Sequence, residues 1–284
     1  MKGAAASVAL QSVGKRYRRR GPWVLRRLDA DVAPGTVVEL RGANGAGKST
    51  LLRLLVGATQ PTRGSRTTAP GLRAGYAPDQ QAPAPPFTAA GYLAHHARLR
   101  RLDDRAAEEQ STVLASRLGF AHLLPQRLAE LSAGTQRKVL LVQAFLGQPD
   151  LVVLDEPFSG LDIDARQALG TLLLERSASG TAIVFSDHVT PMERGVAGHL
   201  WELRDGQIDD RPGQDFDVAG MAGLQMSDVE IPSRERDYVR LRAAKVVSDR
   251  VLAELIAAGW HVEQVDDHGD HGDHAHIVAT RRPQ

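Results

Sequence analysis

Cysteine is absent from this 284-residue chain. That excludes disulfides, thiolate metal sites and a cysteine nucleophile, and it fits a reducing cytosol. Charge of one sign is not in excess: the net charge is +1. No field that would draw polyanions is set up, so no nucleic-acid partner is expected. Lysine is scarce beside arginine and alanine, which reads as genome bias. No apolar run approaches the roughly 18 to 20 residues that span a bilayer. The start, Met1 to Leu10, lacks the apolar centre of a signal peptide. Neither a span nor a leader is expected. Apolar residues make up 42% of the chain, an ordinary share for a packed core. The length suits one large α/β domain with a small appendage.

The most informative stretch is Gly42-Ala43-Asn44-Gly45-Ala46-Gly47-Lys48-Ser49-Thr50. It follows a strand-like run, Thr36 to Leu40, and opens a helix-like run, Leu51 to Leu55. Glycines let a backbone curl so that successive N–H groups converge on phosphate oxygens. A helix N-terminus at the same place adds partial positive charge. Lys48 then has the reach for β- and γ-phosphates, and the Ser49 hydroxyl suits Mg²⁺. The stretch reads as a phosphate-binding loop, which on its own could belong to a kinase, a GTPase or a motor.

Around it, residues 1–208 alternate short apolar strands with helical stretches. Strands are expected at 7–10, 23–28, 71–77, 151–154 and 181–185, and helices at 88–102, 104–118, 134–146 and 163–177. Leu151 to Leu154 is wholly apolar, as in a strand covered on both faces of a parallel sheet. Asp205-Gly206 between His199–Leu203 and Gln207-Ile208 signals a hairpin. Such alternation predicts an α/β fold with a mostly parallel, doubly wound sheet. A polar linker is expected at 209–228, then a small α+β domain at 229–284.

Asp155 and Glu156 end the apolar run from Leu151. Two acids there suit a metal held by Asp155 and a water deprotonated by Glu156. With the phosphate loop, this arrangement resembles the ATP-binding-cassette (ABC) ATPases, over the whole segment to about residue 208. Leu131-Ser132-Ala133-Gly134-Thr135-Gln136-Arg137 resembles that family's LSGGQ signature, with Ala133 and Thr135 departing from it. Ser159-Gly160-Leu161-Asp162 resembles the D-loop, and Ser186-Asp187-His188 resembles the switch-histidine segment. Tyr17 matches the aromatic that stacks on adenine, with Trp23 as its rival. The Q-loop is the weakest match. Gly75 to Gln81 allows either Asp79 or, through a one-residue bulge, Gln80 to face the metal.

The resemblance implies a P-loop NTPase core with an antiparallel β subdomain and a helical subdomain at about 88–147. It implies ATP and Mg²⁺ as ligands. Lys48, Glu156 and His188 would act in catalysis. Gly42 to Thr50 and Tyr17 would bind nucleotide, with Ser132, Gly134, Thr135 and Asp162 closing from a second ATPase subunit. Ser49, Asp155 and Asp79 (or Gln80) would bind metal. A homodimer is expected rather than a heterodimer, with a separate transmembrane permease docked near Phe87 to Tyr92. The protein would then sit on the inner face of the cell membrane. The Leu93, Leu99, Leu102, Leu114, Leu118 and Leu124 stripe is read as core. A non-transport ABC ATPase, in DNA repair or translation, is the alternative. The C-terminal unit is expected as strand (238–243), helix (249–258) and hairpin (260–265 with 276–280), and its resemblance to the C-terminal unit of exporter-type ABC ATPases, through Gly259 to Val262, implies export. Its His- and Asp-rich turn, 266–276, is either a solvated turn or a Zn²⁺ or Ni²⁺ site. Lys15 to Arg20 with Arg26 and Arg27 reads as a solvated basic turn.

Overall fold

A computed structural model describes residues 7–79, 86–187, 197–212, 229–235, 238–244, 260–266 and 274–281, with side chains through residue 210. These form two compact units. In the first, β3 (Val37–Arg41), β5 (Ala74–Ala77), β6 (Leu151–Asp155), β7 (Ala182–Ser186), β8 (His199–Arg204) and β9 (Gln207–Pro212) build one sheet. Its order is β5-β6-β7-β3-β8-β9, parallel throughout except for β9. A second sheet, antiparallel, has β1 (Val8–Lys15) between β2 (Leu25–Val32) and β4 (Arg63–Thr68).

The apolar strands divide their side chains between two cores. Leu151, Val153, Val38, Leu40 and Val184 face one side, where Leu51, Leu52, Leu54 and Leu55 of α1 (Lys48–Leu55) meet the antiparallel sheet and Trp201. Val152, Leu154, Val37, Ile183 and Phe185 face the other. There they meet α4 (Ala133–Phe145) and α5 (Ile163–Ala178). This period-two split explains why the strands read as unbroken apolar runs. Each such side chain contributes about 1.5–3 kcal/mol on burial.

The helical layer adds α2 (Ala89–Leu99) and α3 (Asp104–Arg117). Thr88 caps α2, accepting from the Gly91 N–H at 3.0 Å, and Asp103 caps α3 from Ala106 at 2.8 Å. Arg101, at φ 62°, stands in the break between the two helices. The leucine stripe is core at Leu93, Leu114 and Leu118 and partly so at Leu102 and Leu124, but Leu99 is 68% exposed. It ends α2 and points to water. The hairpin β8–β9 turns on Asp205 (φ 50°) and Gly206 (φ 76°), as its residues demand.

Several expectations shift. Strand β9 runs on to Pro212, so residues 209–212 are sheet and not linker. The polar letters Asp209 and Asp210 lie on an edge strand whose exposed side chains need no apolar partner. Strands β1 and β2 also extend well beyond the short runs expected. The second unit is a four-stranded antiparallel sheet, in the order β10 (Val229–Glu235), β11 (Tyr238–Ala244), β13 (His274–Arg281), β12 (Trp260–Asp266). The expected hairpin is β12–β13, and β10 is an added strand. Asp266 and His274 to His276 belong to strands, so the turn read as 266–276 is shorter. Residues 267–273 and the expected helix at 249–258 lie outside the described residues.

Candidate functional site

The loop from Gly42 to Gly47 joins the end of β3 to α1. Gly42 and Gly47 hold φ 157° and 107°. A Cβ would lie 2.7 Å from the Leu203 carbonyl oxygen at Gly42 and 2.8 Å from the Val24 side chain at Gly47. Only glycine serves at either place. Gly47 offers no side chain to cap α1, and no acid stands in the helix's first turn. The N-terminal N–H groups are thus left for an anion. Lys48 Nζ donates to the carbonyls of Gly42 (2.8 Å) and Ala43 (3.3 Å), closing the loop on itself. Burial lowers the Lys48 pKa, and Glu156 and Asp155 oppose that shift by attraction.

Those two acids leave the end of β6. Asp155 is 3% exposed, and its Oδ1 accepts from the hydroxyl of Ser186 at 2.7 Å. Register places this pair side by side, Asp155 on β6 opposite Ser186 on β7. Ser186 Oγ also accepts from the Glu156 N–H at 2.9 Å. Glu156 stands at φ 53°, a left-handed conformation costing an L-residue about 1–2 kcal/mol. Asp187 N–H donates to Leu40 O at 3.3 Å, so β7 ends beside the strand that feeds the phosphate loop. His188 and Gln80 lie outside the described residues. Asp79 is exposed, and its carbonyl is held at 2.9 Å by Arg137.

Ser132 caps α4. Its Oγ accepts from the Thr135 N–H at 3.2 Å and bonds the Thr135 hydroxyl at 2.9 Å. Those bonds run between the two residues and not to the phosphate loop of the same chain. A Cβ on Gly134 would come within 2.8 Å of Gly160 O, so the signature and the Ser159–Asp162 loop pack backbone to backbone. Lys138 Nζ pairs with Asp162 Oδ2 at 2.6 Å, which lowers the Asp162 pKa. Asp162 also caps α5 at Ala165. Tyr17 is 60% exposed and bonds the Thr50 hydroxyl at 3.0 Å, next to the loop. Trp23 lies under the guanidinium groups of Arg16 and Arg63, while the Lys15 ammonium stands 5.2 Å from the centroid of the Tyr17 ring. Arg18, Arg19, Arg20, Arg26 and Arg27 are exposed, as a solvated basic turn should be.

The site therefore brings together Gly42 to Thr50, Tyr17, Asp155 and Glu156. The residues fit a nucleotide with Mg²⁺: a cradle only glycines allow, an uncapped helix start, a buried lysine and a carboxylate beside them. A magnesium ion takes few protein ligands and draws the rest from phosphate and water. Sequence reasoning passed over Ser186 and Arg137, both quoted within motifs but given no role. Their partners are a carboxylate across the sheet and main-chain carbonyls, which no spacing rule marks.

A family model for ABC transporter ATP-binding domains matches residues 25–159, a span that holds the phosphate loop, the signature and Asp155-Glu156. The zinc import ATP-binding protein ZnuC of Cereibacter sphaeroides is 38% identical over 174 residues, covering 60% of this chain and 69% of that protein. ZnuC of Yersinia enterocolitica is 37% identical over 168 residues, 58% of this chain, and the match spans 64% of that protein's length. Among solved structures, an ATP-binding subunit of an ABC transporter superposes with a TM-score of 0.65 at 27% identity, covering 78% of this chain and 96% of the other. The dimeric cassette MJ0796 shares the fold at TM-score 0.66, 18% identity, over 74% of this chain and all of that one. On this likeness to its relatives, the chain belongs to the ABC transporter ATP-binding family.

Proposed function

We propose that this chain binds ATP with Mg²⁺, hydrolyses it, and drives transport through a separate membrane subunit. The observation that carries the reading is one cluster: Lys48 closing a glycine cradle beside the buried Asp155, with Glu156 held next to it. Lys48 and the N–H groups of the loop bind the β- and γ-phosphates. Tyr17 stacks on the adenine. Asp155 and Ser49 would hold Mg²⁺, which supplies neutralisation of phosphate charge, with Asp79 or Gln80 as a further ligand. Glu156 accepts the proton of the attacking water, and His188 helps orient it. Ser132, Gly134 and Thr135 of a second copy, with its Asp162, complete the site. That second subunit is an identical chain in this reading, and the membrane subunit docks near Phe87 and Tyr92.

Direction is assigned as import. The C-terminal unit pointed to export, but the relatives named above are zinc import proteins, and their names favour uptake of a divalent metal. Among the described residues no helix is long and apolar enough to cross a membrane. A permease would thus bring the protein to the inner face of the membrane.

The decisive variant is Glu156→Gln. ATP turnover should fall at least about 100-fold, since general-base catalysis is worth 10² to 10⁴. Nucleotide binding should persist, and size exclusion with ATP should show a stable dimer. Turnover at the wild-type rate would overturn the reading.

A further inference from the structure

We propose that Arg137 is a positioning residue that fixes Glu156 for chemistry and joins the helical layer to the ends of β5 and β6. The proposal rests on the ATPase reading above. Arg137 sits in the second turn of α4 and is only 7% exposed. Its Nη2 donates to the carbonyls of Asp155 and of Glu156, the latter at 2.7 Å. Its Nη1 donates to the carbonyls of Pro78 and of Asp79, the latter at 2.9 Å. The four acceptors lie at or just past the ends of two neighbouring parallel strands, β5 and β6, which pair as Ala77 with Leu154. One planar guanidinium therefore spans two loops, a geometry a lysine cannot copy.

Burying this cation costs hydration that the nearby carboxylates of Asp79, Asp155 and Glu156 only partly offset, and for a core alone an apolar side chain of similar volume is the cheaper choice. Nε of the same side chain is buried without a partner among the described residues. The arrangement is explained by what it holds. Glu156 is in a left-handed conformation that persists only when its surroundings impose it. Ser186 takes its N–H from one side, and Arg137 takes its carbonyl and the preceding one from the other. The glutamate is thus aimed by α4, the helix that begins with the signature at Ser132.

The test compares Arg137→Met and Arg137→Lys in the full chain. Arg137→Met should bind a fluorescent ATP analogue within about twofold of wild type and keep KM, while kcat falls at least about tenfold, as for misplaced catalytic groups. Arg137→Lys should recover part of that kcat. Hydrogen exchange, read without nucleotide, should speed up at residues 156–160 in Arg137→Met and stay unchanged within α4. This arm does not depend on turnover. Faster exchange in a protein whose wild type never hydrolyses ATP would sink the ATPase reading and leave the clamp standing. Wild-type kcat in Arg137→Met, or unchanged exchange at 156–160, overturns the proposal. So does a parallel loss of nucleotide affinity and thermal stability with kcat per folded molecule preserved. Should Arg137→Met fail to fold, Arg137→Lys is read alone, and wild-type kcat with wild-type exchange there overturns it.

Discussion

At the scale of single residues, function and stability pull against each other at Lys48. Its ammonium is buried at the head of α1, and the carboxylates of Glu156 and Asp155 only partly offset the lost hydration. A lysine whose folded pKa lies below the ordinary 10.5 binds fewer protons folded than unfolded between those two values. Stability therefore rises with pH across that window, and below it the full penalty of the charged form is present. Lys48→Met should raise the thermal midpoint at pH 7, with the advantage narrowing by pH 10. It should also abolish ATP binding measurable at millimolar nucleotide. Differential scanning fluorimetry at the two pH values, with and without ATP, checks both. A lower midpoint at pH 7 would show that the bonds to Gly42 and Ala43 outweigh desolvation. Asp162 and Glu175 are lowered as well, by hydrogen bonds from Lys138 and Arg117, and for a carboxylate that favours the charged form and stabilises the fold. Their contribution is present above the ordinary carboxylate range and is lost as pH falls through the lowered values.

At the scale of elements, the tightest joint is between β5 and α4. Gly75 lies so close to α4 that a Cβ would stand 1.8 Å from the Ala144 carbonyl oxygen. Gly75→Ala should cost about 3 kcal/mol in urea unfolding, the upper range for overpacking. It should also lower turnover, because β5 carries the loop that Arg137 grips. A cost under about 1 kcal/mol would mean that the strand moves freely against the helix. The same joint shows what the letters reveal. Strands β6 and β7 were plain from their apolar runs, and α5 from the helical stretch expected at 163–177. Strand β4 was not, because Arg-Gly-Ser-Arg-Thr-Thr is a mostly exposed edge with no apolar face. The phosphate loop, Asp155 and Glu156 were readable because each carries its own side-chain chemistry at a fixed spacing. The grip of Arg137 was hidden, since carbonyls belong to every residue and only folding selects four of them. Ser186 was hidden for a related reason: its partner Asp155 lies across a parallel pair, far away in sequence.

At the scale of the whole molecule, the proposed function makes the site one that two copies share. Ser132 and Thr135 spend their hydroxyls on each other, while the phosphate loop is closed by its own Lys48. Among the described residues, no hydrogen bond joins the signature to the phosphate loop of the same chain. If the loop of one copy meets the signature of the other, damage to either half should be complemented in a mixture. Lys48→Ala removes the loop's cation, and Ser132→Arg blocks the signature with a bulky charge. Each variant alone should be inactive. Mixed in equal amounts, half of the dimers are heterodimers, and each of these joins one intact loop to one intact signature. Turnover should then recover to roughly a quarter of wild type, as expected of an isologous two-fold pair with independent sites. Colorimetric phosphate release from co-refolded or co-expressed mixtures measures it. Mixtures as silent as their components would mean that the signature closes on its own chain's loop, or that the two sites fire only together, and added Glu156→Gln subunits separate these. In mixtures with wild type, one disabled site per dimer should halve turnover if the sites are independent and abolish it if they are coupled.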